Sequence, residues 1–160
     1  MTEVNTASHA EPILVEKAER VATIIFNRPQ SMNALDMNLL QNFLHAIKEI
    51  SFDDDIDVVI LKGSGKAFSS GGDIKTMLQG TDLADFDTIM DQISDIAITL
   101  YSMPKLTISA IHGAAAGLGL GLALATDHLM VDKDAKIAMN FIGIGLIPDG
   151  GSHFFLSQKI

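Results

Sequence analysis

The sequence predicts an α/β fold built on a largely parallel sheet, and three observations carry that prediction. Short runs of β-branched and aliphatic residues alternate with longer stretches whose apolar residues recur at helical spacing. Glycine-rich turns follow strand-like runs directly, at 63–73 and again at 113–119. The composition, 48% hydrophobic and 19% charged over 160 residues, suits a single domain spanning 1–160 with a core of its own.

Taken in order, residues 13–18 (ILVEKA) and 21–27 (VATIIFN) read as two strands turning at Glu19-Arg20. Both alternating sets of the second strand are mostly apolar, so it is expected to be covered on both faces. Pro29 ends it, because proline has no N–H to give a ladder. Asp36 then stands where an N-cap belongs. Met37, Leu40, Phe43, Leu44 and Ile47 form one stripe of a helix reaching about Ile50. The acidic turn Asp53-Asp54-Asp55 leads to a strand at 57–62 (DVVILK) and then the loop GSGKAFSSGGD. A second long helix is expected over 83–102, with Phe86, Ile89, Ile93, Ile96 and Leu100 on one face and Pro104 after it. A strand at 106–111, a helix at about 117–126, strands at 128–132 and 136–139, and a helix starting near 151 complete the alternation.

Eleven Lys plus Arg against twenty Asp plus Glu give a net charge of −9, the wrong sign for a nucleic-acid binder. The lack of cysteine excludes disulfides, thiolate metal sites and a cysteine nucleophile. It also fits a reducing compartment. The N-terminal run MTEVNTASHAEP has neither the basic nor the apolar region of a signal peptide, so a cytoplasmic protein is expected. Leu106 to Ala125 has the length of a membrane span, with Gly113, Gly117 and Gly121 at GxxxG spacing. Its four glycines, His112, the β-rich start LTISAI and the missing basic flanks instead favour a buried strand running into a packed helix. No membrane span is expected.

Several familiar motifs fail on inspection. Gly117-x-Gly119 lacks the third glycine of a dinucleotide fingerprint, since position 122 is Leu. Gly65-Lys66 lacks the other residues of a phosphate loop, and there is no HExxH or GxSxG. His9, His45, His112, His128 and His153 share no metal-ligand spacing, so no metal is expected.

Four segments remain: NRPQSMNAL (27–35), GKAFSSGGDI (65–74), AIHGAAAGLGLGLALATD (110–127) and IGLIPDGG (144–151). Together and in this order they resemble the crotonase family, the enoyl-CoA hydratases and isomerases. The resemblance implies a crotonase (ClpP/crotonase-like) spiral of ββα units, with a coenzyme A thioester as substrate and no separate cofactor. Family members continue into a C-terminal helical subdomain and assemble as trimers or hexamers. The chain matches somewhat more than the first half of such a domain.

Glycine runs let a backbone approach a ligand and present free N–H groups. By position in the family's motifs, the amides of Gly72 and Leu118 would form an oxyanion hole for a thioester enolate; the bare alternative is that these glycines only permit tight turns. Arg28, Met32, Ala34, Leu35, Ala67, Ser69, Ser70, Asp73, Ile74, Gly117 and Phe141 fall in the segments that hold CoA or substrate in the family. Of the cations, Arg28, Lys62, Lys66, Lys75 and Lys105 lie near the CoA-contacting loops. Hydratases of the family use two glutamates, but the matching positions here are Gly121 and Phe141, and no Glu lies beyond residue 49. Asp127 reads as a cap or a solvated turn. Asp149, after Pro148, stands where family isomerases place a catalytic Asp, and it also reads as the N-cap of the last helix. The expected activity is therefore double-bond isomerisation through Asp149. The alternatives are an enoyl-CoA hydratase and a truncated, non-catalytic acyl-CoA-binding module.

Overall fold

Residues 11–73 and 83–160 are described by the structure, a computed structural model. Strands β1 (Ile13–Ala18), β2 (Val21–Phe26), β3 (Val58–Gly63), β4 (Leu106–Ile111) and β6 (His128–Val131) form one sheet in the order β1-β2-β3-β4-β6. The β1–β2 pair is antiparallel and the other three pairings are parallel. Strands β5 (Ala114–Ala116) and β7 (Lys136–Ala138) pair in parallel as a second, smaller sheet. The helices are α1 (Met37–Ser51), α2 (Leu83–Tyr101), α3 (Gly117–Leu124) and α4 (Ser152–Lys159). Each expected boundary lies within about two residues of the observed one, but β5 falls in a stretch expected to be a turn.

Chain order shows why this is a spiral. From β4 the chain turns sharply into β5 and then α3; from β6 it turns into β7 and, after a single 3-10 turn at Ile142–Ile144, α4. Gly113 makes the first of those corners with φ +57°. A Cβ there would lie 1.9 Å from the Lys66 carbonyl oxygen, so no other residue fits.

The register sets Ile24 beside Leu61 and Leu61 beside Ser109, all buried on the face that receives the helices. Helix α1 forms because Asp36 caps it, its carboxylate accepting from the Leu39 N–H at 2.8 Å. Its stripe of Leu39, Leu40, Phe43, Ile47 and Ile50 is fully buried, each side chain worth about 1.5–3 kcal/mol of transfer free energy. Phe26 packs edge-on against both Phe43 and Phe68, with ring centroids 5.1 and 5.6 Å away. In β2, Ala22, Ile24, Ile25 and Phe26 are buried while Val21 and Thr23 are half-buried, so the second face is covered only toward the strand's end.

Helix α3, GLGLGLAL, is apolar on every side and buried from Leu118 onward, as a helix sheathed by protein must be. No helix among the described residues is long and apolar enough to cross a membrane. Asp127 is exposed in the turn before β6, the second of the two roles expected of it. Its carboxylate accepts from both the N–H and the hydroxyl of Thr107 at 2.8 Å, and its own N–H donates to the Thr107 hydroxyl at 2.9 Å. It ties β6 to the start of β4 rather than capping α3. Because β2, β3 and β4 run parallel, the loops that follow them gather at one edge of the sheet, where ligand sites of such sheets lie.

Candidate active site

Three loops are stitched together at that edge. Asn33, fully buried with φ +54°, accepts from the Arg28 N–H at 2.9 Å and donates to the carbonyls of Ser64 and Ala67, both at 2.8 Å. The buried Ser69 hydroxyl donates to the Asn33 carbonyl at 2.8 Å. The backbone of Ser69 exchanges hydrogen bonds with Ala114 and Ala116, at 3.1 and 3.0 Å. On the other side Leu35 N–H donates to Gly71 and Asp73 N–H donates to Leu35. The strand-like run 69–73 is thus held along both edges.

The Gly72 N–H is left over. Among the described residues it donates to no carbonyl, and neither does the Leu118 N–H. Leu118 is the second residue of α3, where an amide has no intrahelical acceptor and meets the positive end of the helix dipole. Gly71 lets the two elements approach: its φ is +95°, and a Cβ there would lie 2.9 Å from the Ala116 carbonyl oxygen.

Gly72, Leu118 and Asp149 line one cavity of about 490 Å³. Leu35, Leu40, Ile89, Ile93, Phe141 and Ile144 give it apolar walls. One carboxyl oxygen of Asp149, Oδ1, is buried there without a hydrogen-bond partner. Burial pushes the Asp149 carboxyl above the ordinary aspartate value. The other carboxylates of the wall, Asp36 and Asp73, face the Arg28 guanidinium at 3.1 and 3.3 Å. Among the described residues, Asp149 has no cation against it. The arrangement is chemically specific: two amide donors able to bear a developing oxyanion, and one carboxyl in an apolar wall whose pKa favours proton exchange.

The sequence family described as enoyl-CoA hydratase/isomerase matches residues 16–160. The chain belongs to that family. In Bacillus subtilis it is similar to YhaR, a protein carrying the enoyl-CoA hydratase/isomerase name, at 49% identity over 140 residues, 88% of this chain and 54% of that protein. It is 29% identical to the trans-2-decenoyl-acyl-carrier-protein isomerase of Streptococcus mutans over 151 residues, 92% of this chain and 57% of the isomerase. The crystal structure of an enoyl-CoA hydratase from Mycobacterium smegmatis superposes with a TM-score of 0.87 and 29% identity over 93% of this chain and 58% of that one. The fold is that of the crotonases. The chain spans about half the length of the curated relatives it matches.

Within this member of the family the expected site residues separate into two groups. Leu35, Ser70, Gly72, Asp73, Gly117, Leu118, Phe141 and Asp149 line the cavity. Arg28, Met32, Ala34, Ala67 and Ser69 do not. Met32 is exposed, Ala34 and Ala67 are buried, and Ser69 is the rivet just described. Arg28, expected at the CoA loops, turns inward to the Ala34 carbonyl at 2.6 Å as well as to its two carboxylates. Lys105 likewise donates to the Asp53 carbonyl at 2.6 Å. Ile74 and Lys75 lie outside the described residues.

Neither position matching a hydratase glutamate supplies a carboxylate: Phe141 is part of the wall and Gly121 is buried against Ser152. Asp149 does not cap α4. The N-cap is Gly151, with φ +72°, and no side chain bonds there. Sequence reasoning did not place Met37, Thr88 or Asn140 at the cavity. Thr88 precedes the Ile89 of the predicted apolar face, a signal that could have found it; Asn140, before Phe141, gave none.

Proposed function

We propose that the protein moves a carbon–carbon double bond in an enoyl-CoA thioester. The Gly72 and Leu118 N–H groups act as the oxyanion hole and Asp149 as the proton shuttle. With a 3-enoyl thioester, the Asp149 carboxylate removes a proton from C2, and the C–H pair moves into conjugation with the carbonyl to give a dienolate. The oxyanion rests on the two N–H groups. Asp149 then returns the same proton to C4, leaving the 2-enoyl thioester and the carboxylate regenerated. No redox partner enters the balance. The apolar wall disfavours the charged carboxylate and so suits a group that both gives and takes a proton.

One observation carries this reading: among the described residues, the Asp149 Oδ1 that has no partner shares its cavity with two N–H groups that donate to no carbonyl. A second reading, water addition to a 2-enoyl thioester, draws on the hydratase name of the Mycobacterium smegmatis neighbour. It needs further carboxylates to orient and deprotonate a water, and positions 121 and 141 do not provide them. The test is a pair of substitutions. Asp149→Asn should lower isomerisation of a 3-enoyl-CoA by about two to four orders of magnitude. Asp149→Ala should do the same, with thioester binding kept in both. Turnover close to wild type in either variant would remove Asp149 from the reaction.

A further inference from the structure

We propose that Ser152 is a positioning residue that seats the Asp149 turn on α3, using the space left open by the missing side chain of Gly121. This inference rests on the reading of Asp149 as the proton shuttle and says what fixes it in place. The turn Asp149-Gly150-Gly151 passes through two left-handed glycines, φ +55° and +72°, so it has no side chain of its own after Asp149 to hold it. Two contacts do so instead.

The first is Ser152. It is fully buried and grips the Asp149 carbonyl twice, its N–H donating at 2.9 Å and its hydroxyl at 2.6 Å. That hydroxyl occupies the room a side chain at 121 would need: a Cβ on Gly121 would lie 2.1 Å from the Ser152 Oγ and 3.2 Å from its Cβ. The second contact is Gly150, which packs between Ile93 and Leu118; a Cβ there would be 3.1 Å from each. The Asp149 turn therefore rests on Leu118 and on Gly121, which lie one helical turn apart on the same face of α3. Leu118 also supplies one of the free N–H groups. The carboxyl and that amide are consequently indexed to a single short helix, and the seat leaves no room for a carboxylate-bearing side chain at 121. The other ionisable groups of the cavity wall are Asp36 and Asp73, with Arg28 between them; no ionisable residue lies on α3, and on α4 His153 is exposed while Lys159 donates to the carbonyls of Thr126 and Asp127.

The experiment is a double-mutant cycle on the intact protein, read as kcat and KM on a 3-enoyl-CoA and as the titration of the 13C-labelled Asp149 carboxyl, identified by its loss in Asp149→Asn. Ser152→Ala keeps the N–H bond and loses the hydroxyl. It should lower kcat about tenfold with KM unchanged within about twofold, the pattern of a displaced reacting group. Its carboxyl resonance should titrate closer to the ordinary aspartate value. Gly121→Ala should produce both effects more strongly, because it drives the hydroxyl out. In the Ser152→Ala background the added methyl meets only the Cβ at 3.2 Å, so Gly121→Ala should then cost about twofold or less. If Gly121→Ala does not fold alone, Ser152→Ala and the double variant carry the test. Costs that add, or an Asp149 titration unmoved by Ser152→Ala, would overturn the positioning role while leaving the shuttle reading intact. An active Asp149→Asn with the titration still coupled to Ser152 would do the opposite.

Discussion

Asp149 sits in the fold at a thermodynamic disadvantage that its proposed role as proton shuttle requires. Burial disfavours its charged form, so its proton is held more tightly in the folded than in the unfolded chain. The sign follows from linkage. Stability contributed by the neutral carboxyl is complete below the ordinary aspartate value, and it is lost as pH rises through the raised one. Asp149→Asn cannot ionise and escapes that loss. Its urea midpoint should equal or exceed that of wild type at pH 8, and the difference should close toward about pH 4. A lower midpoint at pH 8 would mean that the carboxylate makes a stabilising contact absent from this structure. In the proposed reaction only the carboxylate accepts the C2 proton, so kcat/KM should rise with pH through the raised value. A flat acidic limb would contradict the assignment.

At the scale of elements, the periodic features were legible and the long-range pairings were not. The stripe Met37 to Ile47 and the cap Asp36 are local patterns, and α1 forms where they predict. Arg28 reads as a cation near the CoA-contacting loops because a charge in a loop has no local signature of its partners. Its partners lie at Asp36 and Asp73, and the second reaches it only because residue 72 pairs with residue 35 across the loops. Asp149 reads as a cap as well as a catalytic residue because Pro-Asp ahead of a helix is what a cap looks like, and only the cap is overturned. Gly150 and Gly151 turn the chain through the left-handed region, passing the cap to Gly151 and leaving the Asp149 carbonyl, not its carboxylate, to accept from Ser152. Arg28→Met checks this picture. It strips Asp36 and Asp73 of their shared cation and should cost about 2–3 kcal/mol in urea unfolding, less than a fully buried pair would. A raised KM for the CoA thioester with unchanged stability would return Arg28 to the substrate.

For the whole molecule, the family and the fold were readable because four segments, three of them glycine-bearing, fall in one order. A spiral of ββα turns brings the loops after β2, β3 and β4 together with the turn before α4. The same spiral leaves Met130, Ile137, Ile142 and Ile147 exposed on β6, β7 and the turn beyond them. Apolar side chains of that size in open water favour association between copies, of the trimer type expected from the resemblance. Light scattering on the 160-residue chain should give a multiple of the monomer mass, and a monodisperse monomer at micromolar concentration would contradict it. The central claim is that one carboxylate moves a proton and no water is added. It is tested most directly by giving the intact protein a 3-enoyl-CoA and separating the products over time. The 2-enoyl thioester should form first and persist, with no 3-hydroxyacyl-CoA above the uncatalysed level and with the conversion lost in Asp149→Asn. Accumulation of 3-hydroxyacyl-CoA at a rate matching the loss of substrate would contradict it.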